Sequence, residues 1–426
     1  MNKIMHILIV SFFSNWGNVS ATEAELVKQH LIAGDSVSVL MCDGSIGSCA
    51  VNPKAETKSC QRCQQRRVDN LKGVVFHHIK AQPIKLPTFK TPTEIKVFQY
   101  KGADLGAAAL SSANTRHRDP ICDSDHAMTS ANKYLQAACR SYEATIKILE
   151  SDNFGRVYNF NGRFAESRGA WRAAQAAGVP CFNYDRGCSV NHYQLFSDTL
   201  PHDAALFQRR VKQAWANRTD NAEQMADEFY EDQRRGGSAR FPGFPNLVAK
   251  QIADKLPNGW NGSRRNVVVF TSSEDELAAI EGLIKPSLYH SQAEAITRLA
   301  TDSDCHFYVR IHPNLFEASN ESLSNIEAID MQNVTIIRAA DRVDSYAMLE
   351  ACDSVLTFGS TMGIEATYYG KPSVLISGSF YDELGSTHNA TSHNDALALI
   401  QTNQLADRLG AVMFGYYKAT FGIIFS

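Results

Sequence analysis

The sequence predicts an α/β protein built from two Rossmann-like, doubly wound domains that face a cleft. Short apolar runs of the kind found in buried strands alternate with helical patterns in both halves of the chain. Such alternation predicts parallel sheets that are covered by helices. The length of 426 residues also agrees with about two domains, since single cores seldom grow beyond roughly 250–300 residues.

The first domain is predicted within residues 1–255. It begins with an apolar strand, an amphipathic helix that ends at a glycine, and a second apolar strand. The predicted strands are Met5–Ser11, Ser36–Asp43, Gly73–Lys80, Arg156–Phe160 and Val179–Tyr184, and the predicted helices are Ala21–Gly34, Lys133–Ser151 and Glu166–Gly178. Residues 203–237 are rich in charge, glutamine and alanine, which indicates solvated helices.

A segment rich in proline and glycine follows, within residues 240–265. We interpret it as the interdomain linker and hinge, and the alternative is a surface loop inside one domain. The second domain is predicted within residues 262–410. Its predicted strands are Asn266–Phe270, His306–Ile311, Val334–Arg338, Val355–Phe358 and Ser373–Ile376, and its predicted helices are Glu276–Ile284, Gln292–Ala300, Ser345–Ala351, Thr361–Tyr369 and Ala396–Leu405.

The composition is that of a soluble globular protein, with 44% hydrophobic and 20% charged residues. A net charge of −3 argues against a nucleic-acid binder that depends on a broad basic surface. Residues 1–13 carry a short apolar run without the cleavage site of a signal peptide. No segment approaches the ~20 apolar residues of a membrane span, so a cytoplasmic protein is predicted.

The tail, residues 411–426, is aromatic and apolar. We expect it to pack on the core. The alternatives are peripheral contact with the cytoplasmic face of the inner membrane and a truncated reading frame.

The chain has ten cysteines, which are not expected to form a disulfide framework in the cytoplasm. Four of them crowd into residues 42–63: Cys42, Cys49, Cys60 and Cys63. The last two form a Cys-x-x-Cys pair, the spacing that lets two thiolates bind one tetrahedral zinc ion. We predict an irregular loop that is ordered by a structural zinc ion, with a loop of reduced thiols and a redox pair as the alternatives.

The residues with the clearest chemistry lie in the second domain, where a strand, a small-residue turn and a helix begin a βαβ unit. Ser360 and Thr361 start that helix and offer hydroxyls, free N–H groups and the positive end of a helix dipole to an anion. Glu365 follows one turn later, where a carboxylate would hold ribose hydroxyls. Arg310 and His312 end another strand and suit a phosphate. Ligands of doubly wound sheets bind beyond the carboxyl ends of the strands, so these residues predict a nucleotide site.

These residues also have structural alternatives. Ser360 and Thr361 would cap their helix without a ligand, Arg310 would form a salt bridge, and His312 would be a buried residue before a proline turn.

Ser272 and Ser273 lie at a further strand-to-helix turn and are predicted to contact the same ligand. A capping box with Glu276 explains the two serines equally well.

These motifs resemble those of two-domain glycosyltransferases with the GT-B fold, and more narrowly those of bacterial capsule and surface-polysaccharide biosynthesis proteins, including users of CMP-linked acidic sugars. The resemblance rests on Arg310, His312 and the following proline, on Ser360–Thr361 with the Gly, Glu, Ala, Gly, Lys and Pro found up to residue 372, and on FTSSEDE at residues 270–276. It covers residues 266–380, and the N-terminal half matches only in architecture. In that family the histidine and the Ser-Thr pair hold the donor phosphate. The resemblance therefore implies these roles for His312, Ser360 and Thr361. An imidazole, a guanidinium and a helix N-terminus would together stabilise the leaving phosphate, so no metal or other cofactor is expected in catalysis.

The first domain must then supply a general base, because a sugar hydroxyl loses its proton as it attacks an anomeric carbon. Glu166 and Asp185 follow successive strands and are the predicted candidates. Their structural alternatives are a helix cap and a loop hydrogen bond. The predicted acceptor contacts are Asn15, Asn161, Arg163 and Arg186. The two arginines would suit an acidic sugar or a phosphate, and a solvent loop is the alternative for Asn15.

We therefore interpret the chain as a glycosyltransferase that moves a sugar from a nucleotide-sugar donor to a glycan or lipid-linked glycan acceptor of a surface polysaccharide. A CMP-linked acidic sugar is the donor that the resemblance implies. The alternatives are a nucleotide-sugar 2-epimerase, a CDP-polyol phosphotransferase and a non-catalytic polysaccharide-assembly protein.

Overall fold

The computed structural model of the chain describes residues 4–79, 81–237, 250–280 and 282–426. The chain divides into two compact units by its contacts. The first unit comprises Met1–Pro201, Asp275–Ile280 and Gly422–Ser426, and the second comprises His202–Glu274 and Glu281–Phe421. Residues 240–249 of the predicted linker lie outside the described residues.

The described residues of the first unit contain a seven-stranded sheet. Its strands are β1 (His6–Ser11), β2 (Ser36–Cys42), β3 (Val75–Ile79), β4 (Arg156–Phe160), β5 (Cys181–Arg186), β6 (His192–Ser197) and β13 (Ile423–Ile424), in the spatial order β13-β6-β5-β4-β1-β2-β3. The strands β1 to β5 are parallel, and β6 and β13 are antiparallel additions at one edge. The order β3-β2-β1-β4-β5 is that of a Rossmann sheet.

The burial of the central strand β1 shows that both faces of this sheet are covered. Its residues Ile7, Leu8 and Ile9 are 0% exposed, although successive side chains of a strand point to opposite faces. An apolar run without alternation is typical of a parallel strand that is buried between layers of helices. The helices of this unit are α1 (Gly17–Ile32), α2 (Thr57–Asn70), α3 (Pro92–Lys96), α4 (Leu105–His117), α5 (Asp125–Ser151) and α6 (Ala165–Ala176).

The boundary between the units differs from the prediction of a first domain that extends to residue 255. The helices α7 (Ala204–Ala216) and α8 (Ala222–Arg234) belong to the second unit. The physical reason is that Val211 of α7 and Tyr230 of α8 are buried in one apolar cluster with residues of α14 (Arg408–Thr420). Tail residues therefore divide between the two units, because α14 joins this cluster and β13 pairs with β6.

The described residues of the second unit contain a sheet of six parallel strands. They are β7 (Asn266–Phe270), β8 (His306–Arg310), β9 (Val334–Ile337), β10 (Ser354–Thr357), β11 (Ser373–Leu375) and β12 (His388–Asn389), in the spatial order β12-β11-β10-β7-β8-β9. Counted from β7, this order is 3-2-1-4-5-6, which is that of the Rossmann fold. The remaining helices are α9 (Gln292–Thr301), α10 (Glu321–Glu327), α11 (Ser345–Ala351), α12 (Met362–Tyr368) and α13 (His393–Ile400). The predicted α/β class with two Rossmann-like units is confirmed.

The segment after β7 differs from its prediction as a helix over Glu276–Ile284. It forms only a 3₁₀ turn over Glu274–Glu276, and residue 281 lies outside the described residues. Ala279 of this segment is buried in an apolar cluster of the first unit, so tertiary packing overrides the helical pattern.

Within the part of the chain that the structure describes, no helix is both long and apolar enough to cross a membrane.

Candidate functional site

An open pocket of about 210 Å³ lies at the carboxyl ends of strands in the second unit. Its wall includes Thr271 after β7, Arg310 and His312 at the end of β8, and Ser360 and Met362 after β10. The strand order reverses between β7 and β10, and ligands of doubly wound sheets bind at this switch point. The structure thus brings three of the predicted donor-site residues, Arg310, His312 and Ser360, to one pocket.

Arg310 supplies a buried positive charge to this pocket. Its side chain is only 2% exposed. Nη1 donates a 2.6 Å hydrogen bond to the carbonyl oxygen of Arg338, while the buried Nε has no partner. Burial lowers the pKa of this guanidinium, and Asp341 partly opposes that shift. Among the described residues no carboxylate lies within ion-pair distance of Arg310, so the salt-bridge alternative is not what the structure shows.

His312 presents a hydrogen-bond donor to the same space. Its Nδ1 accepts a 3.1 Å bond from the backbone N–H of Asn314, so in the neutral ring the proton lies on Nε2. The backbone N–H of His312 donates to Oγ1 of Thr271 at 2.9 Å, which fixes the residue to the end of β7. Burial, followed by the charge of Arg310, lowers the pKa of His312 to about 4. The imidazole is therefore neutral at pH 7.

Gly359 shapes the turn after β10 that places Ser360 at the pocket. Gly359 has a φ of +97°, and an added Cβ would lie 2.9 Å from the carbonyl oxygen of Gly378. The backbone N–H of Ser360 donates to Oγ1 of Thr357 at 3.0 Å, and Oγ of Ser360 accepts from the N–H of Met362 at 3.4 Å. Thr361 is the N-cap residue of α12 without a capping bond from its side chain. It is exposed and is not among the described residues that line the pocket.

The carboxylate of Glu365, which is predicted to hold ribose hydroxyls, is bonded to Tyr346. The carboxylate is 3% exposed and accepts a 2.6 Å hydrogen bond from the hydroxyl of Tyr346 at Oε2. Burial raises the pKa of Glu365. Tyr346 lines the pocket, whereas Glu365 is absent from the described lining. The sequence contains no motif that would have singled out Tyr346.

Ser272 and Ser273 are also outside the described pocket lining. The hydroxyl of Ser272 donates to the carbonyl oxygen of Phe358 at 3.0 Å, and the side-chain amide of Gln292 pairs with the backbone of Ser272. Ser272 therefore ties the end of β7 to the end of β10. Its hydroxyl is engaged there rather than in a capping box.

Three of the acceptor-site candidates come together at the carboxyl ends of β4 and β5. Nδ2 of Asn161 donates to Oδ2 of Asp185 at 2.6 Å, and Oδ1 of Asn161 accepts from the backbone N–H of Arg163 at 3.2 Å. Asn161 adopts a φ of +57°, which points to a specialised turn. Nη1 of Arg163 donates to Oγ1 of Thr115 at 2.6 Å, and its buried Nε has no partner. Burial raises the pKa of Asp185.

The other acceptor-site candidates are separate from this group. Glu166 is 0% exposed; Oε1 accepts a 2.7 Å bond from the N–H of Ala50, while Oε2 has no partner. Burial raises the pKa of Glu166 to about 7. Arg186 is exposed at the end of β5. Nδ2 of Asn15 donates to the carbonyl oxygen of Ser59 at 3.3 Å.

The four clustered cysteines line one small cavity of about 30 Å³ in the first unit. Cys42 ends β2, Cys49 lies in the following loop, and Cys60 and Cys63 lie in α2. The prediction of an irregular loop over residues 42–63 is therefore wrong from Thr57 onward, where α2 begins. Within the described ranges, no group of three or more His, Cys, Asp or Glu side chains has metal-binding geometry.

A buried polar network that the sequence patterns do not predict lies next to this cavity. Glu23 of α1 accepts hydrogen bonds from the hydroxyls of Ser11, at 2.7 Å, and Tyr184, at 2.9 Å. Nε of Arg67 donates to Oγ of Ser11 at 2.8 Å. Burial raises the pKa of Glu23. These residues are distant in sequence, so no spacing pattern connects them.

Solved structures similar to this chain include glycosyltransferases and 2-epimerases. A β-Kdo 2,4-transferase, KpsC of Thermosulfurimonas dismutans, is 14% identical, with 62% of this chain and 79% of that chain covered and a TM-score of 0.40. The glycosyltransferase SnogD of Streptomyces nogalater is 13% identical, with 98% and 95% covered and a TM-score of 0.28. The UDP-GlcNAc 2-epimerase of Neisseria meningitidis, bound to UDP-GlcNAc, is 10% identical, with 92% and 85% covered and a TM-score of 0.26.

No protein-family model matches the sequence, and no curated protein matches it.

Proposed function

We propose that this protein is a glycosyltransferase that moves a sugar from a nucleotide-activated donor to a surface-polysaccharide or glycan acceptor. The observation that carries the proposal is the buried guanidinium of Arg310, which lines the pocket of the second unit without a carboxylate partner among the described residues. A buried charge without a counter-charge is costly. The pocket therefore favours a ligand that brings an anion, and a nucleotide phosphate at the switch point of a Rossmann sheet fits this requirement.

The charges of the pocket support a donor with a single phosphate. Arg310 supplies one permanent positive charge, and the neutral imidazole of His312 supplies an Nε2–H donor. The phosphodiester of a CMP-linked sugar carries one negative charge, whereas a diphosphate carries two. We therefore propose a CMP-linked sugar as the donor, and an acidic sugar is what the resemblance of residues 266–380 to capsule-polysaccharide enzymes implies.

The proposed reaction is a displacement at the anomeric carbon of the donor sugar. The bond from this carbon to the phosphate oxygen breaks, the acceptor oxygen forms the new bond, and the phosphate of CMP keeps the electron pair. Negative charge then grows on the phosphate, where fixed donors in a water-poor site stabilise it. In this proposal Arg310, His312 and Ser360 of the pocket wall stabilise that charge. Thr361, which begins α12 outside the described lining, is proposed as a further donor from the same turn. Since these residues supply the charge and the donors, the proposal involves no divalent metal.

The acceptor hydroxyl must also lose its proton, and we propose Asp185 or Glu166 as the base. A general base has to come within hydrogen-bond distance of the hydroxyl. Asp185 is partly exposed and already bonded to Asn161, whereas Glu166 is fully buried, so Asp185 is better placed. Arg186, exposed beside Asp185, would hold an acidic acceptor. The acceptor we propose is a glycan or lipid-linked glycan that is met in the cytoplasm, at the inner face of the inner membrane.

The first test is a thermal-shift series with CMP, CDP, UDP and GDP. We expect CMP to stabilise the wild-type chain selectively. His312→Ala should abolish that shift, while His290→Ala, at an exposed position of the same unit, should retain it. Selective stabilisation by CDP would instead indicate a polyol phosphotransferase, and selective stabilisation by UDP would indicate an epimerase. If no nucleotide stabilises the folded protein, the proposed nucleotide site is wrong and a non-catalytic assembly protein takes its place.

A further inference from the structure

The cysteine cavity joins four thiols that come from a strand, a loop and a helix. Cys42 comes from the end of β2, Cys49 from the loop after it, and Cys60 and Cys63 from successive turns of α2. An added Cβ at Gly44 would lie 3.7 Å from Sγ of Cys60, so the loop backbone packs directly on that sulfur. The cavity volume of about 30 Å³ is sufficient for a single ion or one to two water-sized groups.

Three of the sulfurs already accept hydrogen bonds. Sγ of Cys63 accepts from Nη2 of Arg67 at 3.0 Å. Sγ of Cys60 accepts from Nδ2 of Asn52 at 3.2 Å, and Sγ of Cys42 accepts from the backbone N–H of Gly44 at 3.2 Å. Donors directed at the ligand atoms are the outer-shell contacts that orient the ligands of a metal site.

Arg67 gives the cavity a buried positive charge. Its side chain is 1% exposed, and its other hydrogen bonds go to the hydroxyl of Ser11 and the carbonyl oxygen of Cys42. Among the described residues no carboxylate lies at ion-pair distance from it, and the nearby carboxylate of Glu23 is bonded to the same hydroxyl of Ser11. A tetrahedral ion with four thiolates carries a net charge of −2, and a guanidinium beside one sulfur compensates part of that charge.

We propose that Cys42, Cys49, Cys60 and Cys63 bind one thiophilic divalent cation of the zinc class, with Arg67 as the charged residue of its outer shell. Four thiolates in a tetrahedron are the ligand set of structural zinc sites. On binding, the thiols release their protons to solvent and the metal–sulfur bonds form without any redox change. Because the sulfurs surround the cavity without metal-binding geometry, the ion must draw the side chains inward.

The ion would also fix the end of β1. Ser59, beside Cys60, accepts the hydrogen bond of Asn15, and Nη1 of Arg66 donates to the carbonyl oxygen of Asn15 at 3.0 Å. The first turns of α2 therefore hold the β1–α1 turn. Loss of the ion should loosen this turn, in which the proposed acceptor contact Asn15 lies.

The test begins with the metal content of the full-length chain, purified without chelator, and with its absorption spectrum after loading with Co²⁺. We expect close to one zinc ion per chain. The cobalt form should show sulfur-to-cobalt charge transfer and the strong d–d bands of a tetrahedral site. Cys60→Ser with Cys63→Ser should abolish both signals. Cys352→Ser is the matched control, because this buried thiol lies in the other unit and donates to the carbonyl oxygen of Leu349, as a serine can.

If the double variant does not fold, a single variant still tests the proposal. Cys49→Ser removes a single ligand from the loop and should weaken zinc binding at least tenfold in competition with a chromophoric chelator. A folded wild-type chain that contains no zinc and gives no charge-transfer band would overturn the proposal. So would alkylation mass spectrometry that shows a disulfide among the four cysteines. These results do not depend on nucleotide binding, so they are separate from the test of the proposed function.

Discussion

The hydroxyl of Tyr346 donates a 2.6 Å hydrogen bond to Oε2 of Glu365. This bond places the tyrosine at the pocket wall and keeps the carboxylate beneath it, in the core of the second unit. The bond therefore connects the pocket wall to a buried carboxylate.

The Tyr346–Glu365 bond should contribute measurably to stability. Tyr346→Phe leaves a buried carboxylate without this donor, and we expect the free energy of unfolding to fall by about 2 kcal/mol. Urea denaturation at pH 7 measures the change. Tyr100→Phe is the control, since the hydroxyl of Tyr100 donates to Glu143 in a more exposed environment and should cost less than about 1 kcal/mol. Equal losses in the two variants would contradict the buried role of Glu365.

Glu166 should make stability depend on pH. Burial raises its pKa from 4.5 to about 7, so between these values the folded state holds a proton that the unfolded state has lost. The free energy of unfolding should therefore fall as pH rises from 5 to 8, by about 2–3 kcal/mol for this group. In Glu166→Gln the fall should be smaller than in wild type by about this amount, because the buried carboxyls of Glu23, Asp185 and Glu365 still contribute to it. In the exposed control Glu150→Gln the full fall should remain. Denaturant titrations at both pH values test this, and an unchanged slope in Glu166→Gln would contradict it.

Gly359 should be required for the turn that carries Ser360. Alanine at a positive φ costs about 1–2 kcal/mol, and at Gly359 its Cβ would also collide with the carbonyl oxygen of Gly378. Crowding of this kind adds about 1–3 kcal/mol. Gly370→Ala is the control, because Gly370 has a φ of +76° but nothing within 4 Å of the added Cβ. Urea denaturation should show the larger loss in Gly359→Ala, and equal losses would contradict the close approach.

The sequence was sufficient to predict the two Rossmann-like units and the convergence of Arg310, His312 and Ser360. Parallel strands that are buried on both faces appear as apolar runs, and the first polar residues after each run lie at one edge of the sheet. The order of such strands along the chain is therefore sufficient to predict that distant motifs meet, without any knowledge of side-chain contacts.

Other features depend on tertiary contacts that a sequence does not display. The charged sequences of α7 and α8 predict solvated helices, yet the side chains of Val211 and Tyr230 are buried in one cluster with residues of α14. Glu365 has the spacing of a ligand-binding residue, but no pattern in the sequence indicates its hydrogen bond to Tyr346. Cys60 and Cys63 follow a glycine- and proline-containing loop, and the sequence does not show where that loop ends and their helix begins.

The most direct test of the account is calorimetric titration of CMP and of cytidine into the wild-type chain and into Arg310→Gln. If the buried guanidinium holds the phosphate, wild type should bind CMP far more tightly than cytidine. Arg310→Gln should lose about 2 kcal/mol of CMP affinity, or roughly 30-fold, with cytidine affinity unchanged. Arg298→Gln, at an exposed residue paired with Glu294, should behave as wild type. Equal affinities for CMP and cytidine, or full CMP affinity in Arg310→Gln, would contradict the proposed phosphate site.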